Sequence, residues 1–278
     1  MGINYTSRYG LEFNPFIKNT KDILIETDEY KELVFRLNYL LQIKGFGLVT
    51  GNPGLGKTTS IRKWCETLNK AAYKVVYIPL STLTVLEFYR QLASSLGIEP
   101  YHKKVDNFRA IQEMVTRYEK EKRVTLIIIL DEANYLKSET LNDLKLLFNF
   151  DMDSQDRAVV LLMGLPNLNR TLNLNVHEPL KQRIVMNYQL DSLTKDESKN
   201  YILRKLKGAG CHQTVFEEQA LEAVVNACNG VPRRINQLCN QCLLIGNNQK
   251  KNMIDIDVGM GATDEIGRAS GRERGESS

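Results

Sequence analysis

The sequence of residues 51–58 is GNPGLGKT, which fits the pattern G-x-x-x-x-G-K-[ST]. An apolar run, Phe46–Thr50, precedes this segment, and an amphipathic run through Leu68 follows it. Glycines let a backbone wrap closely around phosphate groups, and the first N–H groups of a helix attract the same anion. This order predicts a strand, a phosphate-binding loop and a helix. The residues predicted to bind a nucleotide here are Gly51, Asn52, Pro53, Gly54, Leu55, Gly56, Lys57, Thr58 and Thr59.

Four side chains around this loop are predicted to carry the chemistry. We expect Lys57 to reach the β- and γ-phosphates and the Thr58 hydroxyl to ligate Mg²⁺. A second apolar run, Leu126–Leu130, ends in Asp131 and Glu132. Because ligands bind at the carboxyl ends of the strands in an open α/β sheet, Asp131 is predicted to support the metal and Glu132 to activate the attacking water.

Five short apolar runs have the length of buried parallel strands, and amphipathic stretches separate them. The runs are Phe46–Thr50, Val75–Pro79, Leu126–Leu130, Val159–Met163 and Val185–Leu190. Alternating strands and helices predict an α/β sheet with helices on both faces. We assign residues 1–192 to this α/β domain and residues 193–250 to a small all-α lid domain.

Three helices are predicted in the lid domain. Thr194 and Glu197 have the spacing of a capping box, and Thr214 and Glu217 repeat it. Pro232 can occupy the first position of a third helix. Residues 251–278 are predicted to be an irregular tail. Its segment EIGRASGRER resembles the translation of a sequencing adapter, which indicates a non-native end; a genuine disordered tail is the alternative.

Composition excludes several classes of protein. The 278 residues are 42% hydrophobic and 25% charged with a net charge of +4, which disfavours a disordered or collagen-like chain and permits a polyanionic partner. No apolar run has the length of a membrane-spanning helix. Five cysteines without a recognisable secretion signal favour reduced thiols in a cytoplasmic protein. The single pair Cys239 and Cys242 indicates buried thiols, and no zinc is expected.

The chain resembles the AAA+ ATPases of the ExeA/TnsC-like group, within the broader Orc/Cdc6-like clade. The segments that carry the resemblance are YGLEFNPF (9–16), GNPGLGKTTSIRKW (51–64), LIIILDEANYL (126–136), VVLLMGLPNL (159–168), EPLKQRIVMNYQLDSL (178–193) and GVPRRINQLC (230–239). The resemblance implies a P-loop NTPase sheet of order 5-1-4-3-2 and Mg²⁺-dependent hydrolysis of ATP to ADP and phosphate. It also implies a homo-oligomer, either a ring or a filament.

The resemblance implies further roles for single residues. Pro15, Phe16 and Ile17 would lie near the adenine. Arg183 would be an arginine finger that reaches the γ-phosphate of a neighbouring subunit, and we expect it at the ligand edge of the sheet. Arg233 would sense the γ-phosphate from the lid.

One position departs from the family pattern. The family has a polar sensor just after the fourth strand, where this chain has Leu165. Asn167 is assigned to that role, with Asn169 as the alternative, and the displaced sensor predicts slow hydrolysis.

Three biological roles remain open. The first is an ATP-gated, DNA-binding helper of transposition that recruits a DDE-type transposase. The second is an ExeA-like ATPase for assembly of secretion machinery, for which a following transmembrane segment is expected but not recognisable. The third is a slowly hydrolysing, ATP-switched scaffold. The basic clusters Lys103–Lys104, Arg109 and Arg62–Lys63 either are solvated or contact a DNA backbone.

Overall fold

The computed structural model of the chain describes residues 5–18, 20, 23–150 and 155–275, and for residues 266–275 it describes the backbone only. The chain divides into two compact units. Unit 1 is drawn from residues 1–29, 54–56 and 192–278, and unit 2 from residues 30–53 and 57–191. The described residues up to position 29, predicted to belong to the α/β domain, therefore group with those from position 192 onwards.

Unit 2 contains a five-stranded parallel sheet. Its strands are β1 (Gly45–Gly51), β2 (Tyr73–Pro79), β3 (Thr125–Asp131), β4 (Ala158–Gly164) and β5 (Ile184–Leu190). Their spatial order is β2-β3-β4-β1-β5, and every neighbouring pair is parallel. This confirms the five predicted strands and the predicted order 5-1-4-3-2.

The burial of each strand follows from its place in the sheet. The inner strands β1 and β4 are buried along their whole length, and β3 is buried from its second residue. The edge strands β2 and β5 have mixed burial. Inner strands that are covered on both faces require continuous apolar runs, which is why their sequences are easily recognised.

Helices pack on this sheet. Those of unit 2 are α1 (Asp28–Ile43, of which the first two residues group with unit 1), α2 (Lys57–Thr67), α3 (Val85–Ser95), α4 (Lys104–Lys120), α5 (Ser138–Leu147), α6 (Asn167–Leu172) and α7 (Glu178–Lys181). Gly47 permits the close approach of α1 to β1, because a Cβ at this position would lie 2.4 Å from Leu40 Cδ2. Trp64 of α2 is fully buried, and its indole N–H donates to Asn38 Oδ1 of α1 at 3.0 Å.

Unit 1 is helical. Its main helices are α8 (Lys195–Gly208), α9 (Glu218–Cys228), α10 (Pro232–Asn248) and α11 (Ile256–Gly275). Thr194 and Glu197 form the predicted capping box at the start of α8, and Pro232 begins α10 as predicted. Residues before position 29 join this core because Asn14 Nδ2 donates to Asn240 Oδ1 at 2.7 Å, and Phe16 is buried against the helices.

The predicted capping box at Thr214 and Glu217 is wrong. Helix α9 begins one residue after Glu217, and no side chain caps it. The preceding backbone is instead used in a short parallel bridge, in which Ile254 N donates to Val215 O at 2.8 Å and Glu217 N donates to Ile254 O at 2.9 Å. Backbone pairing at these residues delays the start of the helix.

The irregular tail predicted from residue 251 is also corrected, because α11 occupies most of it. Ile254, Val258 and Ala262 are buried at a spacing of four residues, and Val258 N donates to Asp255 Oδ1 at 3.1 Å. This narrow apolar stripe packs in the core of unit 1. Of the helices in the described ranges, none combines the length and apolar character required to cross a membrane.

Candidate nucleotide-binding site

The predicted phosphate loop lies between β1, which ends at Gly51, and α2, which begins at Lys57. Gly54 and Gly56 have φ angles of +84° and +94°, a region that L side chains rarely adopt. The Lys57 ammonium is buried and donates to the carbonyl oxygens of Gly51 at 2.7 Å and Asn52 at 3.1 Å. The lysine side chain is therefore held over the start of its own loop.

Asp131 is the polar centre at the carboxyl end of β3. It is 5% exposed, and its Oδ2 accepts hydrogen bonds from Thr58 Oγ1 at 2.9 Å and from the Tyr77 hydroxyl at 2.7 Å. Its Oδ1 accepts from Glu132 N at 2.9 Å. Burial, followed by the hydrogen bond to Asp131, raises the pKa of Tyr77, so this hydroxyl is a donor.

This donor set fits a magnesium ion. The three groups that donate to Asp131 are two hydroxyls and an amide, all of them neutral, so they leave the carboxylate charge for a cation to balance. Carboxylate and hydroxyl oxygens are hard ligands of the kind that Mg²⁺ prefers. The structure places Thr58 and Asp131, the two predicted metal ligands, in direct contact, and their binding of a metal stays a prediction.

Glu132 differs from Asp131 in its exposure. Its side chain is exposed, and its φ angle of +58° is left-handed. This conformation is uncommon for a residue with a Cβ, and such strain is concentrated at functional sites. Glu132 is therefore exposed, whereas Asp131 is held by three hydrogen bonds, and the role of Glu132 in activating water stays a prediction.

The structure distinguishes the two sensor candidates on α6. Asn167 is exposed, whereas Asn169 Nδ2 donates to Thr50 Oγ1 at 2.9 Å and Asn169 Oδ1 accepts from Asn187 Nδ2 at 3.3 Å. Thr50 is fully buried and directly precedes Gly51. The amide next to the phosphate loop is therefore that of Asn169, the alternative candidate, and the sensor role assigned to Asn167 stays a prediction.

Arg183 does not lie at the ligand edge. It directly precedes β5, and the residue before a parallel strand lies at the amino edge of the sheet, opposite the carboxyl edge where ligands bind. Its guanidinium donates to Lys145 O at 2.8 Å and to Phe148 O at 3.3 Å, and it lies 3.5 Å from Asp156 Oδ1. The expected position at the ligand edge is therefore wrong, and the role in a neighbouring subunit stays a prediction.

Arg233 lies in the first turn of α10, within unit 1. Its N–H donates to Gly54 O at 3.1 Å, and Gly54 groups with the same unit. A Cβ at Gly54 would lie 2.9 Å from Arg233 Cβ and 3.1 Å from Val231 Cγ1. The start of this helix and one glycine of the phosphate loop are thus in direct contact.

The three residues predicted near the adenine also lie in unit 1. Pro15 O accepts from the buried Lys205 ammonium at 2.8 Å, Phe16 is 5% exposed and Ile17 is 43% exposed. The side chain of Asn14 accepts from Phe16 N at 2.9 Å. These contacts hold Pro15 and Phe16 in unit 1, and contact of the segment with a base stays a prediction.

Cys239 and Cys242, which have the spacing of a pair of metal ligands, are buried in the core of unit 1. Burial raises the pKa of Cys242 to about 12 and raises that of Cys239 well above its ordinary value. Both thiols are therefore protonated at neutral pH and serve as small apolar side chains.

One family model and several known proteins are similar to this chain. A family model described as an AAA domain matches residues 41–172. The chain is 31% identical to general secretion pathway protein A of Aeromonas hydrophila over 246 residues, which are 86% of this chain and 44% of that protein. It is 28% identical to the ATP-dependent target DNA activator B of Escherichia phage Mu over 141 residues, 50% of this chain and 41% of that protein. The chain spans less than half the length of either relative.

Solved structures agree on the fold. Cdc6p from Pyrobaculum aerophilum matches with a TM-score of 0.67 at 17% identity, over 86% of this chain and 67% of that one. At this identity the likeness concerns the fold alone, and it accords with the sheet order described above.

Proposed function

Because the chain has the fold of the AAA+ ATPases and its residues 41–172 match their domain model, we propose that it binds ATP with Mg²⁺ and hydrolyses it to ADP and phosphate. The observation that carries this proposal is the hydrogen bond between Thr58 and Asp131 beside the phosphate loop. It joins the two residues that would hold the metal.

The proposed reaction assigns a task to each side chain. The Lys57 ammonium leaves the carbonyls of Gly51 and Asn52 for the β- and γ-phosphates, while loop N–H groups bind the remaining phosphate oxygens. Bound Mg²⁺, held by Thr58 and Asp131, would supply positive charge to the phosphate oxygens. The exposed carboxylate of Glu132 orients and deprotonates the attacking water.

Three variants test this proposal. Lys57→Ala should abolish nucleotide binding, whereas Glu132→Gln should retain binding and lower turnover about 100-fold or more, the usual contribution of general acid–base catalysis. Glu139→Gln, a charge-matched change at an exposed residue of α5, should leave both unchanged. Steady-state phosphate release and equilibrium binding of ATP are the measurements. Equal turnover in the wild type and in Glu132→Gln would refute the role of Glu132.

We further propose that the ATPase is an oligomeric, DNA-binding helper of transposition that recruits a DDE-type transposase. The similarity to a target DNA activator over half of the chain supports this role. The exposed side chains of Lys103 and Arg109 could neutralise DNA phosphates. Between them the buried Asn107 donates to the carbonyls of Tyr101 and Lys103, each at 2.9 Å, and so connects the start of α4 to the backbone before it.

The second candidate is assembly of secretion machinery, which the longer alignment with general secretion pathway protein A favours. DNA binding distinguishes the two. The transposition helper should bind duplex DNA more tightly with a non-hydrolysable ATP analogue than with ADP, and DNA should stimulate turnover. Lys103→Glu should weaken binding and lower its salt dependence, whereas Lys70→Glu, a matched change at another exposed lysine, should not. DNA binding that is absent in both nucleotide states would favour the secretion role.

A further inference from the structure

One further side chain, Tyr77, contacts the predicted metal site, although no motif identifies it. Strand β2 is the neighbour of β3, and their register pairs Tyr77 with Ile129 and Pro79 with Asp131. Side chains two residues apart on a strand share a face, so Tyr77 and Asp131 lie on the same face of the sheet, one step apart along it. The tyrosine side chain is long enough to span this distance, and its hydroxyl lies 2.7 Å from Asp131 Oδ2.

We propose that Tyr77 is a positioning residue that holds the carboxylate of Asp131 towards Thr58 and so sets the affinity of the site for Mg²⁺. The inference rests on the proposed function, because it concerns the metal of the ATP site. Tyr77 itself touches neither nucleotide nor metal in this assignment and acts through Asp131.

The hydrogen bonds of Asp131 explain why such a residue is needed. When the Thr58 hydroxyl turns to a metal ion, Asp131 loses one of the three donors described above. Glu132 N continues to hold Oδ1, and the Tyr77 hydroxyl continues to hold Oδ2. The two donors thus fix both oxygens of a buried carboxylate, and hydrogen bonds to a charged group are the stronger kind.

Packing of the aromatic ring does not explain why position 77 is a tyrosine. The residue is 46% exposed on the edge strand β2, so its ring makes only part of its possible apolar contacts. A phenylalanine at this position would keep the ring and these contacts. The hydroxyl is the part of the side chain with a defined partner at the site, and Tyr77→Phe removes this atom alone.

The experiment measures binding of mant-AMPPNP, a fluorescent non-hydrolysable ATP analogue, as a function of Mg²⁺ concentration. Loss of an outer-shell partner of a metal site typically lowers metal affinity about 10-fold, and we expect the Mg²⁺ midpoint of Tyr77→Phe to rise by that factor. Binding in EDTA and the thermal unfolding temperature should stay at wild-type values. Tyr73→Phe, a matched change at the other end of β2, should leave the Mg²⁺ midpoint unchanged.

The outcomes separate the inference from the function on which it rests. If the wild type binds the analogue with a Mg²⁺ dependence that Tyr77→Phe leaves unchanged or shifts to lower concentration, the positioning role is refuted and the proposed function stands. An equal shift in Tyr73→Phe also refutes it, because the effect then belongs to the strand in general. If the wild type does not bind the analogue at all, both proposals fail.

Discussion

The Thr58 hydroxyl donates to the Asp131 carboxylate at 2.9 Å across 73 positions of the chain. Thr58 lies in the first turn of α2 and Asp131 at the end of β3. Strands β1 and β3 are not neighbours, because β4 lies between them. The bond therefore depends on the order of the whole sheet, and it converts two separate sequence motifs into one site.

Replacement of Thr58 tests this bond directly. Thr58→Val keeps the shape of the side chain but removes the hydroxyl, so Asp131 loses a donor and the metal loses a ligand. We expect the Mg²⁺ concentration for half-maximal ATPase activity to rise about 10- to 100-fold. Thr58→Ser keeps the hydroxyl and should remain within a few-fold of the wild type. A Thr58→Val enzyme with unchanged Mg²⁺ dependence would contradict the assignment.

Gly54 is expected to resist substitution for two reasons. Its φ angle of +84° disfavours any side chain, and a Cβ would lie 2.9 Å from Arg233 Cβ. Gly97 has a similar φ angle of +78° but nothing within 4 Å of an added Cβ, so it isolates the backbone strain. Gly97→Ala should lower the free energy of unfolding by about 1 kcal/mol. Gly54→Ala should lower the free energy of unfolding further and weaken ATP binding. Chemical denaturation and nucleotide titration measure the two effects. An equal loss of stability in both variants would contradict the contact with Arg233.

The parts of the fold that follow from local sequence were predictable. Leu126–Leu130 is a continuous apolar run that ends in two acids, and it proved to be the central part of β3 with Asp131 at its end. The loop from Gly51 to Lys57 was recognisable because its glycines and lysine have a fixed spacing. Both signals arise from neighbours in sequence.

Other features depend on contacts between distant residues. The grouping of the described residues up to position 29 with unit 1 rests on bonds such as that from Asn14 to Asn240, which are 226 positions apart. The bond from Tyr77 to Asp131 requires the register of β2 against β3, which the sequence does not provide. Helix α11 escaped prediction because Gly259 and Gly261 weaken its propensity, and its apolar stripe is narrow.

The amide groups of α6 provide a matched pair of variants. Asn169 contacts Thr50 beside the phosphate loop, whereas Asn167 is exposed. We propose that Asn169 carries the sensor role, and we expect Asn169→Ala to lower the turnover number about 10-fold or more, as loss of a polar group that acts on the transition state does. Asn167→Ala should have little effect on turnover. The reverse result in single-turnover hydrolysis would restore Asn167 as the sensor.

Arg183 is expected to contribute to stability through the carbonyl groups that it satisfies. Its side chain is 12% exposed, and Arg183→Ala would leave Lys145 O and Phe148 O without this donor. A buried polar group without its partner costs about 1–3 kcal/mol, so the free energy of unfolding should fall by that amount. Chemical denaturation of Arg183→Ala against Lys181→Ala, an exposed neighbour, gives the comparison.

The predicted action of Arg183 in a neighbouring subunit has a separate test. A mixture of Arg183→Ala and Lys57→Ala subunits contains interfaces in which one subunit supplies Lys57 and the other supplies Arg183. If Arg183 acts in trans, each variant alone should have little ATPase activity, and mixing the two should restore part of it. Absence of recovery in oligomers that are shown to be mixed would assign to Arg183 a role within its own subunit.

His177 predicts how stability depends on pH. It is fully buried, with its ring nitrogens 2.7 Å from Ser138 Oγ and 3.1 Å from Asn142 Oδ1, and burial lowers its pKa below the ordinary value of 6.5. The unfolded chain therefore takes up a proton at a higher pH than the folded chain does. The stability from neutral His177 is fully present above pH 6.5 and is lost as pH falls below that value towards the lowered pKa. Denaturant unfolding between pH 7.5 and pH 5 should show this loss of stability. The loss should be smaller in His177→Gln. It should remain in His102→Gln, because the side chain of His102 is exposed.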